Sequence, residues 1–139
     1  MADKVFFDTN VLVYAFDRGD AVRQRRASQL LEDALREGTA VLSLQVLQEF
    51  YVVATRKIRA PLSPENARSL VAEFLRHQVV EPTALHLLRA IDLSIAHVLS
   101  LWDALILAAA AAAGCRTVYS EDFSAGAVFG DLRVANPFA

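Results

Sequence analysis

Short, mostly apolar runs alternate along this chain with longer segments of helical periodicity, and this alternation restricts the fold more than any other feature. The runs that we predict to be strands are Val5–Phe7, Ala40–Leu42, Val79–Val80, Thr117–Tyr119 and Arg133–Ala135. Continuously apolar runs are typical of parallel strands that are buried on both faces. We therefore predict an α/β fold in which residues 1–139 form a single domain, a parallel sheet sandwiched by helices in a Rossmann-like α/β/α arrangement.

The segments between these strands carry residues that begin and end helices. Apolar side chains spaced by three or four predict a helix from Ala21 to Arg36, and Gly38 follows as its stop. The other predicted helices run from Ser43 to about Ile58, from Pro64 to about His77, from Thr83 to about His97 and from Ser100 to Gly114. Each of these begins at or next to a serine or threonine, side chains that cap helix N-termini.

The apolar content of the chain is high for a small domain. Hydrophobic residues make up 55% of the sequence, against about 45–50% in ordinary globular proteins. A domain of this size has little core in which to hide the excess, so we expect part of it to lie in an interface, and we predict a symmetric dimer. The formal charge of −2 neither supports nor excludes a nucleic-acid partner.

The sequence also indicates a cellular compartment. The longest apolar stretch, Ala104–Ala113, is far shorter than the roughly 20 residues of a membrane-spanning helix, and the N-terminus has no signal-peptide pattern. Cys115 is the only cysteine, so no internal disulfide forms, which is typical of a reducing environment. We predict a soluble cytoplasmic protein that has no contact with a membrane, with Cys115 as a small buried residue.

Four acidic residues occupy positions that a parallel sheet brings to one edge. Asp8 directly follows the first strand, and Asp122 follows the Thr117–Tyr119 strand by three residues. Glu49 lies in the second turn of the helix after the second strand, and Asp103 lies in the first turn of the helix before Thr117. Sites in such sheets form outside the carboxyl ends of the strands. We expect these four carboxylates to converge there, provided that the Asp103 helix begins at the same edge.

A cluster of carboxylates suits a hard divalent cation. Mg²⁺ prefers oxygen ligands and is usually held by one or two carboxylates together with waters and a substrate phosphate. Without a cation, carboxylates placed close together repel each other and also repel phosphate. Such a site activates a water and stabilises the leaving oxygen when a phosphodiester is hydrolysed. The sequence therefore predicts a metal-dependent nuclease.

Each acid also has a purely structural interpretation. Asp8 is equally suited to capping a helix or a turn. Ser100 and Asp103 resemble a capping box, with Asp103 at the third helical position. Asp122 and its neighbour Glu121 can equally be solvated acidic residues of a loop. No single one of these acids decides between the two interpretations.

Glu49 gives only a weak signal by its position on its helix. It lies nearly opposite the centre of an apolar stripe formed by Leu44, Leu47, Tyr51, Ala54 and Ile58. A charged residue on the polar side of an amphipathic helix is ordinary.

Four short stretches of the sequence form a combination that is more specific than any of its parts. They are Phe7–Leu12 (FDTNVL), Gln48–Phe50 (QEF), Trp102–Ile106 (WDALI) and Tyr119–Asp122 (YSED). In this order and spacing they resemble the PIN-domain nucleases, specifically the VapC toxins of bacterial and archaeal toxin–antitoxin pairs. The similarity extends over essentially the whole chain.

This resemblance implies an endoribonuclease that uses Mg²⁺, with Mn²⁺ as an alternative. Asp8, Glu49 and Asp103 would be the core metal-site acids. Asp122 would be the fourth and more variable one, preferred to Glu121 because the fourth acid of the family falls two residues after a serine or threonine. The hydrogen-bonding residues that would support the site are Asn10 and Ser120.

The resemblance also implies partners. Family members usually form homodimers, and a small antitoxin protein silences the toxin by binding near the active site. We expect a further apolar groove that receives a helix or an extended segment of the antitoxin.

Basic residues and one tryptophan are candidates for RNA contact. The predicted RNA-binding residues are Arg18, Arg23, Arg25 and Arg26, at the start of the Ala21 helix. They would hold the phosphate backbone, or pair with acidic residues of the antitoxin, or simply be solvated. A second basic group follows Glu49, at residues 56–59. Trp102, next to Asp103, is expected to pack in the core rather than to stack on a base.

Three other functions are compatible with parts of this pattern. A structure-specific DNA nuclease of the same superfamily would need an insertion for holding DNA, which the chain lacks. A phosphoacceptor signalling domain would need a lysine at the site, but the only lysines are Lys4 and Lys57. A catalytically silent PIN-fold module that binds RNA or protein remains the main alternative, although an intact set of four acids weighs against it.

Overall fold

The computed structural model describes residues 2–139, which form one mostly parallel sheet with helices on both faces. Its strands are β1 (Val5–Phe7), β2 (Ala40–Ser43), β3 (Gln78–Val80), β4 (Thr117–Tyr119), β5 (Val128–Phe129) and β6 (Leu132–Ala135). Its helices are α1 (Thr9–Tyr14), α2 (Ala21–Glu37), α3 (Leu44–Arg56), α4 (Pro64–Phe74), α5 (Ala84–His97) and α6 (Leu101–Ala112). The predicted α/β fold and all five predicted strands are confirmed.

The order of the strands places β1 at the centre of the sheet. The order is β3-β2-β1-β4-β6-β5, and every neighbouring pair is parallel except β5 with β6. The chain moves from β1 to β2 and β3 on one side, and later to β4 and β6 on the other. The direction of winding therefore reverses between β1 and β4, and in sheets of this kind the crevice at that reversal binds ligands.

Side chains cap the helices where the sequence predicts it. The hydroxyls of Ser43, Ser63, Thr83 and Ser100 each accept a hydrogen bond from the backbone N–H three residues later. Gly38 ends α2 in the left-handed conformation, with φ of 72°.

Three predicted helices end earlier than expected. The α3 helix ends at Arg56 rather than near Ile58, α4 ends at Phe74 rather than near His77, and α6 ends at Ala112 rather than at Gly114. After Phe74 the N–H groups of Arg76 and His77 bond to carbonyls three residues back, so the helix tightens into a turn before β3 begins.

Two short elements have no counterpart in the sequence prediction. One is α1, a helix of six residues that begins directly after Asp8, and the other is β5, a strand of two residues that forms a hairpin with β6. Both are too short to show a periodic pattern of their own.

The apolar face of α3 differs from the predicted stripe. Phe50 is fully buried and Val46, Leu47 and Ala54 are buried with it, whereas Tyr51 is 37% exposed. The buried face turns toward Phe50 because α3 packs both on the sheet and on α1 and α4. Edge-to-face contacts of 5.8–5.9 Å between ring centroids join Phe50 to Phe16 and Phe74. Glu49 consequently lies at the border of the buried face, half-buried, and not opposite it.

Small side chains allow α6 to sit deep in the fold. Ala104 and Ala108 pack against Ala90, the only residue of α5 that is fully buried. Ala109, Ala110 and Cys115 belong to the main core. The prediction that Cys115 is buried is confirmed, and burial raises the pKa of its thiol to about 11.

No single helix within residues 2–139 has the length and hydropathy to cross a membrane. Together α5 and α6 satisfy those two criteria, but they are bent by 119° at their junction.

Two residues at helix C-termini provide a matched test of left-handed strain. Val98 ends α5 with φ of 54° although it is β-branched, and Gly38 ends α2 with φ of 72° and open space where a Cβ would lie. We expect Val98→Gly to raise the free energy of unfolding by about 1 kcal/mol and Gly38→Ala to lower it by about as much. Urea denaturation at submicromolar protein measures both. Equal effects of the two substitutions in the same direction would contradict the assignment of strain to the backbone.

Candidate active site

Asp8 is a buried carboxylate held at the point where the winding of the sheet reverses. It follows β1, caps α1 and is 4% exposed. One carboxylate oxygen, Oδ1, accepts a hydrogen bond from the backbone N–H of Thr9 at 2.7 Å, and Oδ2 accepts one from the hydroxyl of Ser120 at 2.7 Å. Ser120 follows β4, so this contact joins the ends of the two central strands. The capping interpretation of Asp8 is confirmed, and it is compatible with a role in a site.

Glu49 is oriented by two neighbours that sequence reasoning did not assign to the site. Its carboxylate accepts hydrogen bonds from the Thr9 hydroxyl at 2.8 Å and from Nε2 of Gln45 at 2.9 Å. The same Gln45 nitrogen donates to the backbone carbonyl of Trp102 at 3.1 Å. The two positions were detectable in the sequence, since Thr9 adjoins Asp8 and Gln45 lies one helical turn before Glu49.

The other two predicted site acids are Asp103, on α6, and Asp122, in the loop after β4. Asp103 lies in the first turn of α6, and its backbone N–H donates to the hydroxyl of Ser100 at 3.1 Å. Asp122 is exposed after β4, and its N–H donates to the hydroxyl of Ser120 at 3.1 Å. The charges of Asp122 and Glu49 act on Asp103, so α6 begins at the same edge of the sheet as the other acids. The sequence allowed this position but did not require it.

Glu121 has different partners from Asp122. Its carboxylate lies 4.0 Å from Nε of Arg23, and its charge adds to burial in raising the pKa of Tyr14. The charge of Asp122, by contrast, acts on both Asp8 and Asp103. This geometry favours Asp122 over Glu121 as the fourth acid.

The pKa values show that these carboxylates interact. The pKa of Asp8 is raised to about 6; burial is the largest cause, the hydrogen bonds from Ser120 and Thr9 oppose it, and repulsion by Asp122 and Glu49 adds to it. Burial also raises the pKa of Asp103, again with repulsion from Asp122 and Glu49. Burial, rather than mutual repulsion, is the largest cause of both raised pKa values.

The four acids suit a hydrated hard cation better than a close protein cage. No three Asp, Glu, His or Cys side chains in the part of the chain that the structure describes converge as a ready ligand set. Mg²⁺ does not require one, because it keeps several waters and takes one or two carboxylates. The salt bridges seen within residues 2–139 include none of the four acids, so their charges are left for another cation.

Asn10 has an unused hydrogen-bond donor. Its Oδ1 accepts a long hydrogen bond, 3.4 Å, from the backbone N–H of Glu121. Its Nδ2 is the one buried side-chain polar atom without a partner among the described residues. Unpaired buried donors are rare and are compatible with an absent ligand or water.

A cleft of about 540 Å³ adjoins the acids. Its lining includes Asn10, Glu49 and Asp122, together with the basic side chains of Lys57 and Arg59. Two members of the basic group that follows Glu49 therefore line the same cleft as Glu49 and Asp122.

The four predicted RNA-binding arginines have different surroundings. Arg23 pairs with Asp20 at 3.0 Å and lies over the rings of Tyr14 and Phe138. Arg26 donates to the carbonyl of Pro137, while Arg18 and Arg25 are exposed. Their contact with RNA stays a prediction.

The prediction that Trp102 packs in the core is wrong. The side chain is 65% exposed, because the first turn of α6 directs Ala104, on the other side of the helix, to the interior. Because the Trp102 side chain is accessible, it is available to stack on a base.

Ser120→Ala tests whether Ser120 keeps Asp8 ionised. Ser120 is fully buried, and its donated hydrogen bond favours the charged form of Asp8. Its contribution should be complete only above the folded-state pKa of about 6 and should shrink as the pH falls below it. In chelator we expect Ser120→Ala to cost about 1–3 kcal/mol of unfolding free energy at pH 8 and clearly less at pH 5.

Denaturant melts at the two pH values measure this difference. Ser124→Ala, at an exposed serine, is the control and should change neither melt. An equal loss at both pH values would mean that Ser120 acts only through packing.

Comparison with known proteins agrees with this fold. The chain is similar to VapC20 of Mycobacterium tuberculosis, a sarcin–ricin loop cleaving toxin, with 24% identity and a TM-score of 0.69 over 94% of this chain and 99% of that one. It is similar to a toxin–antitoxin complex from Klebsiella pneumoniae, with 22% identity and a TM-score of 0.70 over 96% and 98%. It is also similar to VapBC2 of Rickettsia felis, which is bound to a DNA fragment from its promoter, with 19% identity and a TM-score of 0.67 over 95% and 97%.

The sequence has no significant match among curated proteins. The sequence model of the PIN domain, however, matches residues 5–127, which include all four acids, Asn10 and Ser120. A match over most of the chain, together with the strand order and the buried Asp8, shows that this protein belongs to the PIN domain family.

Proposed function

We propose that the protein is an Mg²⁺-dependent endoribonuclease, with Mn²⁺ as a possible substitute. Its active site for the hydrolysis of RNA phosphodiesters would be formed by Asp8, Glu49, Asp103 and Asp122. The observation that carries this proposal is the set of mutually repelling carboxylates around Asp8, which have no counter-ion in the described residues. Clusters of this kind are costly unless a cation binds. When bound by these carboxylates, Mg²⁺ supplies activation of a water and stabilisation of the charge that develops on the phosphodiester.

The residues of the chain have separable tasks in this proposal. Ser120 and Thr9 favour the ionised form of Asp8, and Thr9 and Gln45 hold the carboxylate of Glu49 in place. The free Nδ2 of Asn10 offers a hydrogen bond to a phosphate or water oxygen in the cleft.

Basic side chains in the cleft partly compensate the negative charge of the acids. Lys57 and Arg59 line the same cleft, so they can attract the RNA backbone toward carboxylates that would otherwise repel it. Arg18 and Arg25, which are exposed, remain candidates for further backbone contacts.

We also propose that the protein is the toxin of a toxin–antitoxin pair and that a cognate antitoxin protein inhibits it. The support is its similarity to a toxin–antitoxin complex and to a toxin that cleaves the sarcin–ricin loop. A groove of about 620 Å³ between α3 and α4, lined largely by apolar side chains such as Leu47, Tyr51, Val71 and Leu75, suits an amphipathic segment of such a partner. The proposal also includes a homodimer and a cytoplasmic location. A reducing compartment suits a chain whose single cysteine is a buried thiol.

Asp103→Asn tests the proposed activity. It keeps the shape of a partly exposed side chain but removes one charge from the site, so RNA cleavage should fall by orders of magnitude while the thermal melt persists. The assay measures cleavage of mixed single-stranded RNA with Mg²⁺ and with chelator. Expression of the wild type, but not of the variant, should slow growth of the host.

Asp131→Asn, at an exposed loop acid, is the matched control and should cleave like the wild type. Undiminished cleavage by Asp103→Asn would overturn the site assignment. Folded wild-type protein that binds RNA without cutting it under any divalent cation would instead favour the silent PIN-fold module.

A further inference from the structure

Trp102 forms one wall of a small cavity, the Trp102 cavity, next to the acidic site. The cavity has a volume of about 180 Å³, and its lining includes Gln45, Gln48, His86, Trp102 and Leu105. Ser43 and Val80, the last residues of β2 and β3, also line it. The cavity therefore lies at the carboxyl ends of two parallel strands, where sheets of this kind bind ligands.

Gln45 connects the Trp102 cavity to the acids. Its Nε2 donates hydrogen bonds to the Glu49 carboxylate at 2.9 Å and to the backbone carbonyl of Trp102 at 3.1 Å. Asp103 follows Trp102 directly, in the first turn of α6. The walls that α3 and α6 contribute to the cavity are thus held beside two of the four proposed site acids. A nucleotide whose phosphate lies at those acids has the cavity as its neighbour.

The chemistry of the Trp102 cavity differs from that of the cleft that contains Lys57 and Arg59. Those two cations suit phosphate groups. None of the described residues that line the Trp102 cavity is a lysine, an arginine, an aspartate or a glutamate. An uncharged and largely apolar cavity does not attract a phosphate or a metal ion. It suits the flat, uncharged part of a nucleotide, which is the base.

The size of the cavity also favours a single base. Sites for drug-sized ligands begin at about 300 Å³, so a volume of about 180 Å³ has room for one flat ring system and little more. A helix or an extended segment of a partner protein fits better in the groove of about 620 Å³ between α3 and α4.

Trp102 has the properties of a stacking surface. Its side chain is 65% exposed, which is unfavourable for the largest apolar side chain of the protein. A base that stacks on the indole covers part of that surface. Stacking on an aromatic ring is available to every base, because each base has a π face.

Two amide side chains in the lining offer hydrogen bonds to a base. Gln48 is exposed, and its amide makes no hydrogen bond within residues 2–139. Gln45 uses its nitrogen for Glu49 and Trp102, which leaves its side-chain oxygen as a free acceptor. An amide group both donates and accepts hydrogen bonds, so it can pair with the edge of a base.

We propose that the Trp102 cavity holds one unpaired base of the RNA next to the phosphodiester at the acids. Trp102 is the stacking surface, and Gln48 contacts the edge of the base. This inference rests on the proposed ribonuclease function and adds to it a determinant of specificity. Phosphate contacts position a nucleic acid without reading its sequence, whereas contacts to an unstacked base can read it.

Trp102 is the only tryptophan of the chain, so its fluorescence reports on this cavity alone. We expect RNA hexamers of A, C, G or U to quench the emission on binding, because a stacked base covers the indole. A ribose–phosphate hexamer of the same charge, without bases, should bind through its phosphates and leave the emission unchanged. Rapid mixing records the signal before cleavage, in Mg²⁺ and again in chelator. No quenching by any RNA hexamer, or equal quenching by the hexamer without bases, overturns the proposal.

Variants of Trp102 separate stacking from a structural role. Because the side chain is exposed, Trp102→Ala should leave the thermal melt unchanged. It should weaken binding of a labelled RNA hexamer on the order of tenfold and raise KM more than it lowers kcat. Trp102→Phe keeps an aromatic face and should recover most of the affinity. Ile95→Ala, at another exposed apolar side chain, is the control and should bind RNA like the wild type. Equal affinity of Trp102→Ala and the wild type contradicts the stacking role.

Gln48→Met tests the contact to the edge of the base. Methionine has nearly the shape of glutamine but lacks its amide, so stacking should persist while discrimination among the bases declines. The measurement is the ratio between the affinities of the best and the worst of the four hexamers. We expect this ratio to fall toward one in the variant. An unchanged ratio would overturn the assignment of Gln48 as a base contact.

The same measurements distinguish this proposal from the nuclease proposal. Quenching by RNA without cleavage would support the base site and overturn the nuclease function. Cleavage that Trp102→Ala leaves unaffected would support the nuclease and overturn the base site. Emission that shifts with protein concentration but does not respond to RNA would assign Trp102 to a contact between proteins, and would likewise overturn the base site.

Discussion

The hydrogen bond from the Ser120 hydroxyl to the buried carboxylate of Asp8 connects the sheet to the candidate site. It spans 2.7 Å between residues that follow the two central strands, where the winding of the sheet reverses. The other oxygen of Asp8 caps α1, and the hydroxyl of Thr9, the first residue of that helix, holds Glu49 on α3. The position of the acids thus depends on one buried carboxylate and its two donors, which are themselves fixed by rigid elements.

This arrangement is electrostatically unfavourable without a cation. Burial and, to a smaller extent, the charges of Asp122 and Glu49 raise the pKa of Asp8 to about 6. Hydrogen bonds from Ser120 and Thr9 lower the cost but do not supply positive charge. A fold that held such a cluster only for structural reasons would gain from replacing it with neutral residues, and this is the main physical reason to interpret it as a cation site.

Local signals in the sequence were sufficient for most of the fold. The strands were recognisable as short apolar runs, and the caps at Ser43, Ser63, Thr83 and Ser100 were recognisable from side-chain chemistry, because both effects act over a few residues. The convergence of Asp8 and Asp122 followed from the geometry of parallel sheets. The elements α1 and β5 were missed because six and two residues are too few to show periodicity.

What the sequence did not reveal depends on tertiary packing. The buried face of α3 centres on Phe50 because the sheet, α1 and α4 all contact it, and a helical wheel contains none of those neighbours. Trp102 is exposed because the packing of α6 on α5 directs Ala104, on the other side of the helix, to the interior. The hydrogen bond from Thr9 to Glu49 joins α1 to α3, and the one from Gln45 to the Trp102 carbonyl joins α3 to α6, so only the folded chain brings these groups together.

Thermal melts of wild type and Asp8→Asn, in chelator and in millimolar Mg²⁺ at pH 7, test most directly whether the acids form a cation site. The folded pKa of Asp8 lies above its unfolded value, so ionisation costs stability as the pH rises from about 4 to about 6, and the penalty remains at pH 7. Asn keeps the shape without the charge, so in chelator the variant should be more stable by about 1–2 kcal/mol. Mg²⁺ should reverse that order, since it stabilises the wild type by binding and barely affects the variant. A variant that is less stable in chelator, with both melts shifted equally by Mg²⁺, would make Asp8 a structural cap and would contradict the metal site.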